Sequence, residues 1–420
     1  MKILHVLHAY PPAIGGVQQL FQNVSGRLVR DFGDQVTVYT TTAYQNTLFW
    51  DPGQPALPAG EEMRAGVRVR RFPVWNRWPG LRLNAARVAH KLQLPGEDWL
   101  RGLYFGPIVP GLARAIAVAD ADIVVASAFP LLHMHVALWG ARRGGAPVIF
   151  VGALHPADRW CFDRPMIYQA IRRADAYIAL SDFERAHLLR RGAIPQGDPD
   201  RIAVIGGGVD RAAFAGASEK RAAMRQRLGW SPDDPAVIFL GRHVEHKRID
   251  VLIEAMCRVW AQQPSARLLI AGARTDYTPQ LMEQVAALPE AQRARITWME
   301  DFEEAEKPAL LAACDVLANP SAYESFGIVF LEAWAVGLPV IGARVGAIPT
   351  IIEAGQDGFL AEHGDAEAWA HALLRLLGSP SLRARMGAAG REKVCARYDW
   401  PVVVRRFRET YARVLEDANG

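Results

Sequence analysis

This sequence of 420 residues lacks the patterns of several protein classes. Its four cysteines form no CxxC or Cys/His cluster, which argues against a structural zinc site and suits a reducing compartment. It has no run of about 18 apolar residues, so we expect no transmembrane helix. No small-residue cleavage site follows the first apolar run, so we expect no signal peptide and a cytoplasmic protein. The cysteines are Cys161, Cys257, Cys314 and Cys395.

The chain also lacks a strong excess of either charge. Its net charge of +4 is compatible with an anionic small substrate or an acidic membrane surface, but it is too small to indicate a nucleic-acid partner. The sequence is 50% apolar and 22% charged, which is the composition of a globular protein. A chain of this length is expected to fold as two domains.

What the sequence does contain is an alternation of short apolar, β-branched runs with helical periodicity. The runs ILHVL, from Ile3, and VTVYT, from Val36, flank a stretch in which apolar residues recur at helical spacing. This alternation predicts an α/β fold with parallel sheets that carry helices on both faces. The further strand candidates are DIVVAS, PVIFVG, AYIAL and RIAVIG, and then AVIFLG, RLLIAG, RITWM, DVLANP, PVIGA and GFLAE.

The pattern restarts after about Ala217, which predicts two doubly wound, Rossmann-like domains. We expect them to face each other across a cleft, where the ligand would bind. We place the N-terminal domain at residues 1–210 and the C-terminal domain at residues 211–399. The last helix, residues 400–420, is expected to pack back on the N-terminal domain.

Two loops that follow predicted strands carry groups suited to phosphate. In YPPAIGGVQQ, Gly15 and Gly16 allow a ligand close to the backbone in front of a helix N-terminus. The spacing is not GxGxxG, which argues against NAD, and an ordinary strand-to-helix turn is the alternative. In LGRHVEHK, Arg242 and Lys247 suit a diphosphate, unless both are simply solvated cations.

Two glutamates surround a predicted helix start in YESFGIVFLE. The helix is expected to begin near Phe326, with Glu324 just before it and Glu332 more than a turn inside it. Carboxylates do not suit phosphate, but they accept hydrogen bonds from vicinal hydroxyls. A sugar and a ribose on the two sides of a diphosphate describe a nucleotide sugar. Two solvated glutamates are the alternative.

Six stretches together resemble the large retaining glycosyltransferase family 4, of the group 1 type, which has the GT-B fold. The stretches are YPPAIGGVQQ, AYIALSDFERAHL, GGGVDRAAF, GRHVEHKRIDVLIEA, NPSAYESFGIVFLEAWAVGLPVI and IIEAGQDGFLAEHGD. They span nearly the whole chain in the family's order, and the pair of glutamates is the most specific element.

The resemblance implies what each matched residue of the C-terminal domain binds. Glu324 would contact the hydroxyls of the transferred sugar, and Glu332 would hold the ribose. Arg242 and Lys247 would neutralise the diphosphate. Backbone N–H groups at the helix start would assist them, namely those of Phe326, Gly327 and Ile328.

In the N-terminal domain, the resemblance implies that Gly16 closes over the phosphates and that a histidine lies near the reacting carbon. His155, in VIFVGALHPADRW, follows a predicted strand as that histidine should. His133 and His135 compete with it, but PLLHMHVAL is expected to be helical. The family often has Asn before Gly-Val-Asp, whereas this chain has GGGVD, so any contact of the Asn side chain is lost.

The resemblance implies a retaining, metal-independent transfer of a hexose from a UDP- or GDP-sugar to an acceptor hydroxyl, without a cofactor. An Asp-x-Asp in GDPDR, Gly197 to Arg201, resembles the metal motif of another glycosyltransferase fold, but its residues suit a turn. Two alternatives stay open: a nucleotide-sugar epimerase of the same architecture, and a non-catalytic nucleotide-sugar-binding protein. The nucleotide base is expected near WMEDF, which does not distinguish uracil from guanine.

The segment Arg64–Lys91 holds eight Lys/Arg residues and no acidic residue. One interpretation is a surface that docks on the cytoplasmic face of an anionic membrane, with Trp75 and Trp78 at the headgroups and a lipid or glycan acceptor. The other is a solvated excursion whose arginines pair with acids elsewhere, with a soluble acceptor. The arginines considered for docking are Arg68, Arg70, Arg71, Arg77 and Arg82.

Overall fold

The contacts of the chain divide it into two compact units. The first unit is Met1–Gly206 together with the chain from Val403 onward, and the second is Gly207–Val402. The division falls slightly before residue 210 and slightly after residue 399, where the sequence suggests the boundaries. The structure is a computed structural model that describes residues 1–156, 158–194 and 198–419.

The first unit contains a mainly parallel sheet. Its strands are β1 Lys2–Leu7, β2 Gln35–Thr41, β3 Gly60–Arg64, β4 Val67–Phe72, β5 Ile123–Ser127, β6 Val148–Val151, β7 Ala176–Ala179 and β8 Ile202–Val204. Its helices are α1 Gly16–Phe32, α2 Pro79–Lys91, α3 Glu97–Phe105, α4 Leu112–Ala117, α5 His133–Gly144, α6 Pro165–Arg173 and α7 Asp182–Arg190. The strand order is β3-β4-β2-β1-β5-β6-β7-β8, and β3 pairs with β4 antiparallel at the edge.

The strands in the middle of this sheet are buried on both faces. Strands β5, β6 and β7 consist entirely of buried residues, as expected where helices cover both faces of a parallel sheet. Strand β4 alternates instead, with Val67 and Val69 buried and Arg68 exposed. The sequence did not predict β4, and this part of Arg64–Lys91 is a strand of the sheet, not a surface excursion.

The second unit contains a six-stranded sheet with helices between its strands. The strands are β9 Ala236–Leu240, β10 Arg267–Gly272, β11 Ile296–Glu300, β12 Val316–Asn319, β13 Val340–Ala343 and β14 Gly358–Ala361. The helices are α8 Arg221–Arg227, α9 Ile249–Trp260, α10 Thr278–Ala286, α11 Glu290–Arg293, α12 Lys307–Ala313, α13 Ile328–Ala335, α14 Ile348–Ile351, α15 Ala366–Leu377 and α16 Pro380–Lys393, followed by α17 Trp400–Asn419, of which only the first three residues belong to this unit.

Helix α17 belongs to the first unit from Val403 onward. Arg408 forms an ion pair of 2.9 Å with the buried carboxylate of Asp34, and Arg406 donates a hydrogen bond of 2.6 Å to the carbonyl oxygen of Val204. These contacts attach the end of the chain to the first sheet. Among the described residues, no helix is both long enough and apolar enough to cross a bilayer.

The order of strands in the second sheet marks where a ligand is expected. The order is β11-β10-β9-β12-β13-β14, and every pairing in it is parallel. It therefore reverses direction between the neighbours β9 and β12. In open α/β sheets, ligands bind beyond the carboxyl ends of the strands at such a reversal. The loops after β9 and β12 are the ones that carry the predicted donor-site residues.

Candidate active site

The loops after β9 and β12 contact each other directly. The backbone N–H of Ala322, after β12, donates a hydrogen bond of 2.7 Å to the carbonyl oxygen of His246, after β9. The His246 ring stacks on Tyr323, with 4.6 Å between the ring centroids and 14° between the planes. This contact places the next residues of the two loops, Lys247 and Glu324, side by side.

Lys247 and Glu324 form an ion pair at the strand-order reversal. The Lys247 ammonium contacts the carboxylate oxygen Oε1 of Glu324, and the two side chains are 17% and 15% exposed. Because the two side chains are shielded, water and salt weaken their attraction less than they weaken that of a surface pair. The structure thus brings together two of the residues predicted for the donor site. Arg242 starts the same loop after β9 and lies exposed at the surface.

Glu324 is held by two further donors. The Ser321 hydroxyl lies 2.9 Å from Oε1, and the side-chain amide of Asn319 lies 3.3 Å from the same oxygen. Burial alone would raise the pKa of Glu324, but the Lys247 ammonium and these two hydrogen bonds hold its pKa below the ordinary value. Glu324 is therefore an ionised hydrogen-bond acceptor at neutral pH.

Helix α13 begins slightly later than the sequence suggests, at Ile328. Gly327 precedes it with a φ of 88°, in the left-handed region that favours glycine. Phe326 lies outside the helix, and its buried ring packs on Tyr398 with 5.5 Å between the centroids. Of the three backbone N–H groups predicted for the helix start, only that of Ile328 belongs to the helix.

The glycine that stands where the family often has Asn also packs against Phe326. A Cβ atom at Gly207 would lie 3.2 Å from the Phe326 ring, and one at Gly208 would lie 2.5 Å from the Trp400 ring. A side chain at either position would have to displace an aromatic ring. The aromatic rings therefore restrict side chains at Gly208 and, less strictly, at Gly207, whereas the sequence showed only a missing Asn.

Glu332 lies inside α13 and forms the second buried ion pair of the site. The ammonium of Lys307 lies 2.8 Å from Oε1 of Glu332, and the two side chains are 12% and 11% exposed. Burial raises the pKa of Glu332 above its ordinary value, even though Lys307 acts in the opposite direction. Lys307 also contacts Glu304, which is largely exposed.

Lys307 was not found from the sequence. It is the first residue of α12, where the helix dipole disfavours a cation. A lysine at a helix start is a weak signal that a carboxylate must lie nearby. Glu304, three residues earlier, satisfies that signal locally, so spacing did not reveal the second partner, Glu332, in another helix.

In the first unit, His155 follows β6 on a loop that a buried glutamate holds. His155 is half-buried, and its ring lies 5.3 Å from that of Phe162. The backbone N–H groups of Ala153 and Leu154 donate to Glu184 Oε1 at 3.2 and 3.0 Å. The loop that carries His155 is thus bonded to α7.

Glu184 is a second residue that sequence reasoning missed. It also accepts hydrogen bonds from the Tyr177 hydroxyl at 2.7 Å and from the Leu180 N–H at 2.8 Å. Burial raises the pKa of Glu184, although these bonds act against the rise. Together with Ser181, which accepts from the Glu184 N–H, it forms an S-x-x-E pattern. That pattern predicts a helix cap and not a contact with the loop after β6.

The two competing histidines lie in α5, as the sequence predicted. His133 and His135 are 1% and 4% exposed, and burial lowers their pKa values to about 4 and about 3. The Nε2 atom of His133 donates a hydrogen bond of 2.7 Å to the carbonyl oxygen of Ser127. Both rings are therefore neutral at physiological pH and belong to the core of the first unit.

Gly16 is the first residue of α1. A Cβ atom there would meet no atom within 4 Å, so packing of the described chain does not require glycine. Gly15 is different, since a Cβ atom there would collide with the Gln18 side chain. That contact is with the end of a flexible side chain, so it constrains Gly15 only weakly.

The Asp-x-Asp belongs to the first unit, directly before β8, whereas the reversal between β9 and β12 belongs to the second. Asp198 pairs with Arg201 at 3.5 Å, and Asp200 is exposed in the short 3-10 helix Pro199–Arg201. Gly197, the first residue of GDPDR, lies outside the described residues. Over the described ranges, no three or more His, Cys, Asp or Glu side chains are grouped as metal ligands.

Comparison with known proteins decides the family. The profile "Glycosyl transferase 4-like domain" matches residues 15–208, and "Glycosyl transferases group 1" matches residues 220–393. The D-inositol 3-phosphate glycosyltransferase of Salinispora arenicola is 31% identical over 388 residues, which cover 86% of this chain and 81% of that protein. The chain belongs to the group 1 glycosyltransferases. Glu324 and Glu332 of this hexosyltransferase both lie within the second matched region.

Two further similarities extend over nearly all of this glycosyltransferase. A GDP-mannose-dependent monoacylated alpha-(1-6)-phosphatidylinositol monomannoside mannosyltransferase from Corynebacterium glutamicum is 27% identical over 418 residues, or 97% of this chain and 96% of that protein. Anabaena HepE in complex with UDP has a TM-score of 0.73 at 19% identity, and the match covers 98% and 100% of the two chains. The second likeness shows the fold alone, which is GT-B. The family match does not favour the epimerase or the non-catalytic alternative.

Proposed function

We propose that the protein is a retaining, metal-independent glycosyltransferase that moves a hexose from a UDP- or GDP-sugar to a hydroxyl of a sugar, glycan or lipid. The observation that carries the proposal is the largely shielded Lys247–Glu324 pair at the strand-order reversal. It presents a cation for phosphate and a carboxylate for sugar hydroxyls at one place. The names of two similar proteins mention GDP-mannose and UDP, and these support both nucleotides as candidates.

The donor would lie across the carboxyl ends of β9 and β12. Glu332 would accept hydrogen bonds from the ribose, and Arg242 and Lys247 would neutralise the diphosphate. Glu324 would accept hydrogen bonds from the sugar through Oε2, because its three protein donors all contact Oε1. The backbone N–H groups of Gly327 and Ile328, with that of Phe326 before them, would face the phosphates.

The transfer would depend on stabilising the departing diphosphate. The bond from the anomeric carbon to the diphosphate oxygen breaks, and the acceptor oxygen bonds to that carbon on the same face. The acceptor proton passes to the departing diphosphate. Lys247 and Arg242 would stabilise the negative charge that develops there, without a metal ion. In the first unit, Gly16 would approach the phosphates, and His155 would lie near the reacting carbon on the loop bonded to Glu184.

Incubation with a panel of nucleotide sugars and acceptors tests this function. We expect a transferred sugar with the donor's anomeric configuration, read by NMR, and activity that survives EDTA. An epimerised donor or binding without turnover would overturn the transferase proposal. Loss of activity in EDTA with rescue by Mg²⁺ or Mn²⁺ would overturn the metal-independent mechanism and return attention to Asp198 and Asp200.

The segment Arg64–Lys91 divides into buried and exposed parts. Arg71 is 6% exposed and donates to the Pro11 carbonyl oxygen and to Glu62, at 2.7 Å each. Arg70 lies 3.6 Å from Glu61, and Arg82 donates to backbone carbonyl oxygens. Arg70 and Arg71 thus pair with acids, as the second interpretation of the segment expects, whereas Arg82 is bonded to backbone carbonyl oxygens instead. Trp75 is also half-buried, beneath Arg82.

Helix α2 and the residues at its two ends carry an exposed apolar stripe. Trp78, Leu81, Val88 and Leu92 recur at helical spacing and are 65%, 68%, 55% and 62% exposed. The exposed cations beside the stripe are Arg77, Arg87 and Lys91. An apolar helix face flanked by cations suits an anionic bilayer. We infer that this stripe docks the enzyme on such a membrane, where a lipid-linked acceptor would lie.

Co-sedimentation with vesicles tests the docking. The wild type should bind vesicles that contain anionic lipid, and high salt should weaken the binding. A variant with Arg77→Glu and Arg87→Glu should stay in the supernatant. The control Val118→Glu changes a residue that is 76% exposed outside the stripe, and it should bind like the wild type. Wild-type protein that stays in the supernatant at low salt would favour a soluble acceptor.

A further inference from the structure

Lys307 and Glu332 belong to the helices that precede and follow strand β12 in the chain. Lys307 is the first residue of α12, and Glu332 lies in the second turn of α13. Because helices in such a unit run back from the carboxyl edge of the sheet, both helix starts face the edge where ligands bind. The 2.8 Å contact between their charges is therefore made close to the donor site.

Stability alone does not account for this pair. Removing two charges from water costs several kcal/mol, and well-packed apolar residues often replace such pairs without loss. Lys307 also begins its helix, where the dipole disfavours a cation. In addition, Lys307 has two carboxylate partners, Glu304 and Glu332. Among the described residues, Glu332 has Lys307 as its one side-chain donor. Glu332 therefore depends on Lys307 for its hydrogen bond, whereas Lys307 has a second partner.

We propose that Lys307 is a positioning residue for the nucleotide: it fixes the carboxylate of Glu332 so that a free oxygen accepts the hydrogen bonds of the ribose hydroxyls. Lys307 binds Oε1, which leaves Oε2 for the ligand. Lys307 itself does not touch the substrate. The inference rests on the proposed function, which assigns the ribose to Glu332.

The charges around Glu332 make this inference testable by pH. Lys307 faces Glu332 from α12, and Glu304 faces the pair from the turn Glu304–Glu306. Burial and Glu304 both raise the pKa of Glu332, and Lys307 alone opposes them. Without Lys307, Glu332 should hold its proton up to a higher pH and lose its ability to accept two hydrogen bonds.

Calorimetric binding of UDP and GDP to the full chain is the test. Lys307→Met should weaken binding of the nucleotide about tenfold near neutral pH. The loss should grow as the pH is lowered and shrink as it is raised, because the wild type should begin to lose affinity only at a lower pH than the variant. Lys307→Arg should restore most of the affinity. With the matching sugar nucleotide, the donor KM of Lys307→Met should rise more than kcat falls.

Two controls separate positioning from folding. Lys393→Met removes another buried lysine, which pairs with Asp357 in the same unit, so it should lower stability without changing nucleotide affinity. In the Glu332→Gln background, Lys307→Met should cost no further affinity, because its effect passes through the missing carboxylate. Should Lys307→Met not fold, Lys307→Gln takes its place.

The outcomes distinguish the two proposals. Wild-type protein that binds neither UDP nor GDP would overturn the proposed function and this inference together. Nucleotide binding by the wild type with an unchanged Lys307→Met variant would overturn the positioning inference alone. A loss of affinity that is the same at every pH, or that persists in the Glu332→Gln background, would do so as well.

Discussion

Glu324 and Glu332 are both largely shielded carboxylates of the second unit, and each pairs with one lysine, yet their pKa values shift in opposite directions. Glu324 receives hydrogen bonds from Ser321 and Asn319 in addition to Lys247, and its pKa falls. Glu332 has Lys307 as its opposing charge, while Glu304 repels its ionised form, and its pKa rises. The comparison shows that burial and one cation do not by themselves decide whether a carboxylate is ionised, because further hydrogen-bond donors and nearby like charges also shift its pKa.

The difference agrees with the separate tasks we propose for the two carboxylates. A group beside the reacting carbon must keep its charge through the reaction, so several donors are an advantage. A group that holds the ribose needs only to present an oxygen, which one cation is enough to orient. The two sites can therefore be separated by experiment.

The largest effect should come from removing the charge of Glu324. Glu324→Gln should lower kcat about 100-fold or more, because the interaction stabilises the sugar as the bond to the diphosphate breaks. Its affinity for free UDP or GDP should change little. Glu332→Gln should instead weaken free nucleotide and sugar nucleotide alike, by about 1.5–3 kcal/mol. Calorimetry and steady-state kinetics on both variants measure the contrast, and equal profiles would contradict the assignment.

How much of this site the sequence predicted depends on the distance between the residues. Glu324, Glu332 and Lys247 were predicted from motifs that follow strands, and the structure brings Lys247 to Glu324. Lys307 was missed because its partner lies in another helix and no local pattern links them. Glu184 was missed because its S-x-x-E pattern has an ordinary local explanation.

The fold shows the same division. The predicted strands all appear, because buried parallel strands leave continuous apolar runs. Strand β4 was missed since its arginines alternate with valines, and the high positive charge suggested a surface. One of those arginines, Arg71, is buried because a carboxylate and a backbone carbonyl satisfy it. Charge counted along the chain could not reveal that.

An intermediate effect should appear in the pH dependence of stability. The lowered pKa of Glu324 means that its contribution to stability is complete above its ordinary value of 4.5 and is lost as the pH falls through the folded-state pKa. The raised pKa of Glu332 means the reverse, with a contribution present below 4.5 that is lost as the pH rises through the folded-state pKa.

Urea unfolding of the wild type and the two Gln variants measures this effect. The wild type should lose stability relative to Glu324→Gln on going below pH 4.5, and relative to Glu332→Gln on going above it. Differences between variants cancel the titration of all other groups. Slopes of the same sign for both variants would show that the two carboxylates do not differ as described.

The smallest effect should come from removing one of the extra donors of Glu324. Ser321→Ala deletes a neutral hydroxyl 2.9 Å from Oε1, while Lys247 and Asn319 remain. Losing such a bond costs about 1 kcal/mol, so sugar-nucleotide affinity and kcat should each fall only a few-fold. Steady-state kinetics of Ser321→Ala and Lys307→Met, measured together, test the contrast, because Glu332 has no further side-chain donor besides Lys307 among the described residues. A loss as large as that of Glu324→Gln would mean that the hydroxyl, and not the ammonium, keeps Glu324 in place.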